Sequence, residues 1–404
     1  MNDSHQEAFA RLMRYAFEPT QNSYSNLIKE DYPESQPWLR DLSKEAYGIF
    51  DGDLLASTGA FHHFKLKLRN HLVDMGGIWG IATLPHYRNQ GYIRHILLKM
   101  LEEMIDKKIP ISVLYPFKYS FYEQFGWRLA DQSYFCRIDI DNIKYRSVTN
   151  RKVQEVEIKK REVPEDIKAV YRLCFKKFNF IVDRTDKEWQ MTIDLKKPGF
   201  WFVCYDEKDN PCGYVGLRFL EKNEWSWLNL DNQESSIYLR DIFWQDRETK
   251  QALFNFLKAH RDHRKHILFS IPCPPFVSSI ATPNYTNIIR LRPNAMARIV
   301  NVKDLFELFN YSYDVNFVLK VNDELIPANN KNFWIKITNG KAKLEETTNT
   351  PDIRISIGSL TQIIIGYRNA SQLHESWEID CSTDMLSTLD QLFPTQTNFL
   401  RDFF

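Results

Sequence analysis

The stretch that decides the fold is Gly80–Arg94, which reads GIATLPHYRNQGYIR. Its first residues predict the end of a strand near Thr83, and the residues after Gly91 have the periodic apolar spacing of an amphipathic helix. A strand-to-helix turn of this kind directs a row of backbone N–H groups and the positive end of a helix dipole at one point. Arg88 can add a charge-assisted hydrogen bond, and Gly91 lets a ligand approach the backbone. The turn therefore predicts a binding site for a pyrophosphate.

Strands and helices alternate around this turn. The predicted elements are, in order, strands over Ala46–Phe50, Leu54–Phe64 and 72–82, a helix over His86–Ile105, a strand over Ile109–Tyr115, a short helix over Phe121–Gly126 and a last strand over Ser133–Ile140. The order strand, helix, strand predicts an α/β layer with a crossover connection.

Two further blocks follow along the chain. The second block repeats the order weakly, with a strand at Ser236–Phe243 before a helix at Arg247–His260. This pattern alone leaves open whether the repeat is an internal duplication or a chance similarity. The third block alternates short strands with turns such as Asn339-Gly340, which is typical of a small α+β domain. The predicted domains are residues 1–150, 151–292 and 293–404.

A second motif, FYEQFGW, spans Phe121–Trp127. The spacing of Arg88 and Gly91 resembles the coenzyme A loop of the GNAT-superfamily acetyltransferases, Q/R-x-x-G-x-G/A, although Ile93 departs from the last small position. Phe121–Trp127 resembles the superfamily motif F-Y-x-x-x-G-F/W, whose tyrosine lies near the thioester sulfur. Tyr122 matches that tyrosine, and a phenol is a suitable acid for a departing thiolate because it is protonated at pH 7.

Both motifs together resemble one family, the Eis (enhanced intracellular survival) acetyltransferases. Arg88–Arg94, which reads RNQGYIR, is similar to the R-R-R-G-L-L-R loop of that family, and this accounts for the large residue at Ile93. The resemblance implies tandem GNAT-type α/β domains, the second degenerate, followed by an α+β domain like the sterol carrier proteins. The junction at Trp244–Glu248 contains no glycine, in agreement with a degenerate second domain.

The resemblance also implies the co-substrate and the site residues. Acetyl-CoA would place its pyrophosphate on the turn and its pantetheine along the edge of the preceding strand. The expected cofactor-binding residues are Ile81, Ala82, Thr83, Arg88, Asn89, Gln90, Gly91, Tyr92 and Ile93. The expected catalytic residues are Tyr122, as general acid, and Phe404, whose free α-carboxylate would orient or deprotonate the substrate amine. The acceptor would be a primary amine of the aminoglycoside, polyamine or lysine type.

Composition and patterning exclude other classes of protein. The net charge of +1 does not indicate a nucleic-acid-binding surface. The longest apolar stretch, Ile267–Ile280, is interrupted by prolines and is too short to span a bilayer. The six cysteines include no C-x-x-C pair, so we expect free thiols and no metal site. The polar segment Met1–Arg14 is no secretory signal. We expect a cytoplasmic protein which, by family resemblance, forms a homo-oligomer, commonly a hexamer.

Two alternative functions stay open at this point. One is an acyltransferase with another acyl group or acceptor, which would need an apolar tunnel for a long chain. The other is a non-catalytic protein that binds a lipid or another small molecule through the C-terminal domain. The presence of Arg88, Gly91 and Tyr122 weighs against a loss of activity.

Overall fold

The fold comes from a computed structural model, which describes residues 1, 5–17, 46–147, 150–159, 162–193, 199–220, 236–272 and 277–402. The chain forms two units. The first contains Met1–Ala130 and Ala295–Thr395, and the second contains Asp131–Asn294 and the tail segment that begins at Gln396. Within these described ranges, no helix is both long enough and apolar enough to cross a membrane.

Helices and strands alternate along most of the chain. The helices are α1 (Gln6–Phe17), α2 (Tyr92–Asp106), α3 (Tyr119–Glu123), α4 (Glu165–Phe175), α5 (Asp186–Thr192), α6 (Arg247–Lys258), α7 (Val302–Leu308), α8 (Ile357–Ile364), α9 (Ala370–Glu375) and α10 (Thr383–Leu392). The strands are β1 (Ala46–Asp51), β2 (Leu54–Leu68), β3 (His71–Thr83), β4 (Ile111–Leu114), β5 (Arg128–Leu129), β6 (Gln132–Asp139), β7 (Lys152–Val156), β8 (Ile181–Val182), β9 (Phe200–Tyr205), β10 (Pro211–Phe219), β11 (Ser236–Trp244), β12 (His266–Pro272), β13 (Ile288–Pro293), β14 (Met296–Ile299), β15 (Val315–Asn322), β16 (Asn332–Thr338), β17 (Lys341–Glu346), β18 (Ile353–Ser356) and β19 (Ile379–Cys381).

The first unit is built on a sheet in which strands lie in the order β1-β2-β3-β4-β14-β5. β3 and β4 are parallel, and α2 connects them, which confirms the predicted α/β layer and its crossover. α2 buries the apolar stripe formed by Ile96, Leu97, Met100, Leu101 and Met104. Each of these side chains contributes roughly 1.5–3 kcal/mol on burial. The stripe therefore holds the N-terminus of α2 in a fixed position at the end of β3.

Two strands, β6 and β14, do not pair in the sheet that their position in the sequence suggests. We predicted the strand at Ser133–Ile140 to close the first block, but β6 pairs with β12 and β13 in the sheet of the second unit. Its place in the first sheet is taken by β14, which lies antiparallel between β4 and β5. Alternating apolar and polar residues indicate which face of a strand is buried, but they do not indicate which strand it pairs with. The sequence therefore did not show this exchange.

The second unit has its own sheet, in the order β13-β6-β12-β11-β10-β9-β7. β11 and β12 are parallel and are connected by α6, so the order seen in the first unit is repeated. The core between α6 and the sheet contains Leu253 and Leu257 of the helix against Ile237 and Ile267 of the strands. The weak repeat in the sequence thus corresponds to a repeated strand, helix, strand arrangement.

The C-terminal part of the first unit contains a third sheet, in the order β17-β16-β15-β18-β19. The predicted turn between β16 and β17 is present, with Asn339 and Gly340 both at positive φ, as a tight hairpin requires. Helix α8 is buried along its whole length, and it packs against β14 and β5 of the first sheet as well as against β18 and β15 of the third.

Candidate functional site

The chemistry predicted from the sequence converges on the C-terminal end of β3. Thr58 of β2 lies opposite Ala82, whereas Ala60 lies opposite Trp79, so β3 carries one extra residue at Gly80–Ile81. This is a β-bulge, and Gly80 takes the left-handed φ of +65° that a side chain would make costly. The bulge turns the backbone of Ile81 out of the regular ladder.

The edge of β3 next to the bulge is open. β3 and β4 form parallel pairs from Met75↔Ile111 to Ile78↔Leu114, and the pairing stops there. Among the described residues, no strand lies against Trp79–Thr83 on the β4 side. The backbone groups of this edge are therefore available to an extended ligand that adds to the sheet as a strand would.

The N-terminus of α2 has no side-chain cap within the part of the chain that the structure describes. Gly91 is the N-cap residue, with φ +78° and ψ 5°, and no described side chain accepts a hydrogen bond from the first turn. A Cβ atom at Gly91 would meet nothing closer than 3.9 Å, so the backbone conformation and not space requires the glycine. The first turn therefore keeps free N–H donors at the positive end of the helix dipole.

Arg88 lies on the exposed side of this turn. Its guanidinium makes no hydrogen bond or ion pair with any described residue, so it can reach a phosphate without breaking an existing contact. The turn itself is held by the N–H of Leu84, which donates to Ala56 O at 2.9 Å, and by the hydroxyl of Tyr87, which donates to Asp51. The backbone of the turn is thus fixed, while the Arg88 side chain makes no hydrogen bond or ion pair with the described chain that would have to break on binding a ligand.

Tyr122 lies on the short helix α3 and is buried in the cluster that also contains Ile81 and Ile93. Phe121 packs edge-on against its ring at 5.0 Å between centroids. Among the described residues the Tyr122 hydroxyl has no hydrogen-bond partner, yet it is not among the fully enclosed polar atoms. Burial raises the pKa of Tyr122 well above its usual value, so the phenol keeps its proton at neutral pH. The hydroxyl can therefore act as a hydrogen-bond donor or an acid.

A buried ion pair supports the turn that follows Tyr122. Gly126 has φ +84°, and a Cβ atom there would lie 2.0 Å from Nη1 of Arg298. Arg298 donates from Nη1 to Phe125 O at 2.9 Å and from Nη2 to both oxygens of Asp323 at 2.7 and 2.8 Å. Sequence analysis missed this pair, although a single arginine inside the apolar run 295–300 was a signal for a buried partner.

The predicted site residues fall into two groups. Ile81, Ala82 and Thr83 lie on β3, and Arg88 to Ile93 form the turn and the start of α2, within one unit that also contains Tyr122. Phe404, the second predicted catalytic residue, lies outside the described residues. The bulge at Gly80 was not predicted, because alternation in a strand does not reveal an inserted residue.

Other features of the described chain lie apart from this site. A cavity of about 410 Å³ is lined by Lys303, Asn329, Phe333 and Glu345, among others, and by none of the predicted site residues. In the ranges that the structure describes, no three His, Cys, Asp or Glu side chains come together as metal ligands. The cysteines described, Cys136, Cys174, Cys204, Cys212 and Cys381, are free thiols.

Comparison with known families identifies the domains of the chain. Two family models described as acetyltransferase (GNAT) domain match residues 1–130 and 181–299, and a sterol carrier protein domain model matches residues 302–401. No curated protein sequence gives a significant match. The chain therefore contains two GNAT acetyltransferase domains, which makes it an acetyltransferase.

Solved structures with a similar fold cover the whole chain. A probable N-acyltransferase from Enterococcus faecalis is 21% identical with a TM-score of 0.86, and Eis1 from Mycobacterium abscessus is 18% identical with a TM-score of 0.78. In both cases all of this chain and 98% of the other chain are covered. A GCN5-related N-acetyltransferase from Anabaena variabilis is 19% identical with a TM-score of 0.83, over 100% and 98% of the two chains. These structures therefore share the fold of the whole chain, in which the family models identify two GNAT domains followed by a sterol carrier protein domain.

Proposed function

We propose that this protein transfers the acetyl group of acetyl-CoA to a primary amine in the cytoplasm. The observation that carries the proposal is the placement in one unit of three groups. They are the uncapped N-terminus of α2 behind Gly91, the open bulged edge at Ile81, and the unpartnered hydroxyl of Tyr122. Together they provide a phosphate site, a strand edge and a proton donor, which are the parts that acetyl transfer from a thioester needs.

Binding of the donor uses the turn and the strand edge. The backbone N–H groups of Arg88–Ile93 hold the pyrophosphate, and the Arg88 side chain adds a charged contact. The residues expected to take part are Arg88, Asn89, Gln90, Gly91, Tyr92 and Ile93. The backbone of Ile81–Thr83 pairs with the pantetheine arm, and an N–H group near Ile81 polarises the thioester carbonyl.

The reaction is a direct transfer. Acetyl-CoA supplies the acyl group as a thioester, and a neutral amine nitrogen forms the new C–N bond as the C–S bond breaks. Tyr122 gives its proton to the departing sulfur, and the proton lost by the amine restores the phenol through solvent or a nearby base. No covalent enzyme intermediate is involved, because neither motif contains a cysteine or a serine positioned as a nucleophile beside a base.

The second catalytic group of the proposal is the α-carboxylate of Phe404. A free α-carboxylate has a pKa of about 3.5, so it is charged at neutral pH and accepts hydrogen bonds from an ammonium or an amine. It would orient the acceptor and take up its proton. Extension of the chain beyond Phe404 would replace this charge by a neutral peptide bond and should lower turnover.

The domains and the assembly belong to the same proposal. Residues 1–150 hold the catalytic domain, 151–292 a degenerate GNAT domain and 293–404 a sterol-carrier-like domain, except that β6 belongs to the sheet of the second unit and β14 to that of the first. The chains assemble into a homo-oligomer, a hexamer by analogy with the Eis family. Light scattering after gel filtration tests the assembly, and a monomer at micromolar concentration would contradict that part.

The experiment that tests the function measures release of the coenzyme A thiol from acetyl-CoA with polyamines, aminoglycosides and lysine peptides as acceptors. We expect amine-dependent release, a fall in kcat by roughly 10²-fold or more for Tyr122→Phe, and a fall for a chain extended past Phe404. Tyr311→Phe is the matched control, because its buried hydroxyl donates to Phe306 O and lies on no site element. Full activity of Tyr122→Phe would contradict its role as acid.

The same assay decides between the alternatives. Faster release from a longer acyl-CoA than from acetyl-CoA would make the protein an acyltransferase of another specificity. No release with any acceptor, together with no binding of coenzyme A, would contradict the enzyme and favour a lipid-binding or small-molecule-binding protein.

A further inference from the structure

The proposed donor site of the first unit has three structural parts: an open strand edge, a β-bulge beside it and an anion site at a helix N-terminus. The second unit keeps the first two. β11 and β12 form parallel pairs from Ser236↔His266 to Tyr238↔Leu268, and the strands are not paired beyond that point. Gly216 of β10 lies opposite Asp241 while Leu217 lies opposite Leu239, so Arg240 is an extra residue in β11. In both units the bulge therefore begins two residues after the last parallel pair.

The third part, the anion site, is closed by a carboxylate of the chain itself. Asp246 is the N-cap of α6, and the N–H of Thr249 donates to its side chain at 2.7 Å. Burial opposes ionisation of Asp246, but hydrogen bonds from Thr249 and the charge of Arg151 hold its pKa below the usual value. In the second unit a charged carboxylate therefore occupies the helix N-terminus where a phosphate would bind. In the first unit Gly91 leaves the corresponding position open.

The gap between the two parallel strands is bridged by a residue of the C-terminal tail. Arg401 donates from Nη2 to the carbonyl of Arg240 at 2.6 Å and from Nη1 to the carbonyl of Ser270 at 3.3 Å. Arg240 and Ser270 each lie two residues beyond the last parallel pair, Tyr238↔Leu268. The guanidinium thus joins the two strands at the level of the bulge.

The rest of the tail is fixed in the same unit by backbone and buried contacts. The N–H of Asn179 donates to Thr397 O, and the N–H of Phe399 donates to Asn179 O, both at 3.0 Å. Phe399 enters the apolar cluster beside Phe243. The tail thus makes backbone hydrogen bonds and side-chain contacts of the kind that a bound peptide strand makes with a protein. These contacts hold the segment that leads to Arg401 in place.

A buried ion pair completes the contact. Nε of Arg184 donates to Asp402 at 2.6 Å, and its Nη1 donates to Asp241 at 2.7 Å, with all three side chains almost fully buried. Asp241 directly follows the bulge residue Arg240 in β11. The tail carboxylate is therefore bound through Arg184 to the strand that corresponds to β3 of the first unit.

We propose that the second GNAT domain uses its donor cleft to bind the C-terminal tail, residues 396–402, in place of an acyl-CoA. Asp246 fills the phosphate end of the cleft, and Arg401 with Asp402 fills the thioester end. The loss of the glycine turn and the docking of the tail are then two parts of one conversion, from a cofactor site to an internal peptide-binding site.

Hydrogen exchange on the full chain tests this proposal without reference to activity. Arg401→Ala removes the bridge between the two strands, so amides of residues 396–402 should exchange roughly tenfold faster or more. Arg261→Ala, at an exposed arginine of the same unit, should leave them unchanged. Equal exchange in wild type and Arg401→Ala would overturn the proposal.

Binding stoichiometry gives a second measurement that does not depend on the stability of a variant. A filled second cleft predicts one coenzyme A per wild-type chain in a calorimetric titration. Two per chain would overturn the proposal, because the second cleft would then be open. No binding at all would contradict the proposed acetyl transfer but would leave the exchange test of the tail intact, so the two failures are distinguishable.

Discussion

Arg298 binds Asp323 through both carboxylate oxygens, at 2.7 and 2.8 Å, and its other terminal nitrogen binds the carbonyl of Phe125, at the end of the turn that carries Tyr122. Strand β14, which carries Arg298, thus holds a turn that lies 173 residues earlier in the chain. The ion pair is almost fully buried, and Asp323 also accepts hydrogen bonds from the N–H groups of Leu325 and Ile326. Within the first unit, it links the turn after Tyr122 to the segment that the sterol carrier protein model matches.

Asp323→Asn should destabilise the first unit strongly, because it leaves the Arg298 charge buried without a counter-charge. Removal of one partner of a buried pair costs about 3–5 kcal/mol. The free energy of unfolding in urea measures this loss. Arg354→Ala is the control, since it breaks an exposed pair with Asp380 and should cost about 1 kcal/mol or less. Equal effects of the two substitutions would show that the buried pair is not important.

Gly126→Ala should lower both stability and activity. The substitution adds the cost of a left-handed backbone and a clash with the Arg298 guanidinium. We expect a loss of more than about 2 kcal/mol and a reduced kcat, because the Tyr122 turn must shift. Gly52→Ala is the matched control, since Gly52 also has positive φ but a Cβ there would meet nothing within 4 Å. If both variants lose the same stability, backbone strain alone explains the effect and the packing argument is wrong.

The value of kcat/KM should increase with pH and should not decrease again below about pH 10. Burial raises the pKa of Tyr122 above its usual value near 10, so the acid keeps its proton over this range. The amine must lose a proton before it attacks, so activity increases as the pH approaches the pKa of the acceptor. Initial rates from pH 6 to 10 with a lysine peptide measure this profile. A fall between pH 8 and 10, with the protein still folded, would argue against Tyr122 as the acid.

Asp131 should make the second unit less stable as pH rises. Burial raises the pKa of Asp131 to about 8, and the hydrogen bond from Asn294 and the charge of Arg401 only partly oppose this. The folded state then binds more protons than the unfolded state between about pH 4 and pH 8, so the free energy of unfolding decreases across that window. Asp131→Asn should therefore raise the thermal midpoint, relative to wild type, more at pH 9 than at pH 5. The control Asp141→Asn, at an exposed position, should change the thermal midpoint equally at the two pH values. If Asp131→Asn also changed the midpoint equally at pH 5 and pH 9, the raised pKa of Asp131 would be contradicted.

The sequence predicted those parts of the molecule that depend on local pattern. The turn at Arg88–Gly91 and helix α2 follow from apolar spacing and one glycine. The exchange of β6 and β14 was not predictable in this way, because the pairing partner of a strand depends on contacts more than 100 residues away in the chain.

The buried charges were the main omission. Arg184, Arg298 and Asp323 look like surface residues in a sequence, since charged side chains are seldom buried without a partner. Their partners are distant in the chain, and Arg184 pairs with Asp402 from 218 residues away. A carboxylate or guanidinium inside an apolar strand was the available signal, but it does not identify the partner.

Coenzyme A release from acetyl-CoA in the presence of an amine, compared between wild type, Arg88→Ala and Lys99→Ala, tests the central claim most directly. We expect amine-dependent release in all three, with the KM for acetyl-CoA raised roughly tenfold in Arg88→Ala because a charged phosphate contact is lost. Lys99→Ala removes the same charge from the exposed side of α2, where Lys99 pairs with Glu102, and should leave the KM unchanged. No release in the wild type, or the same KM in all three proteins, would contradict the claim that the turn at Arg88–Ile93 holds the acetyl donor.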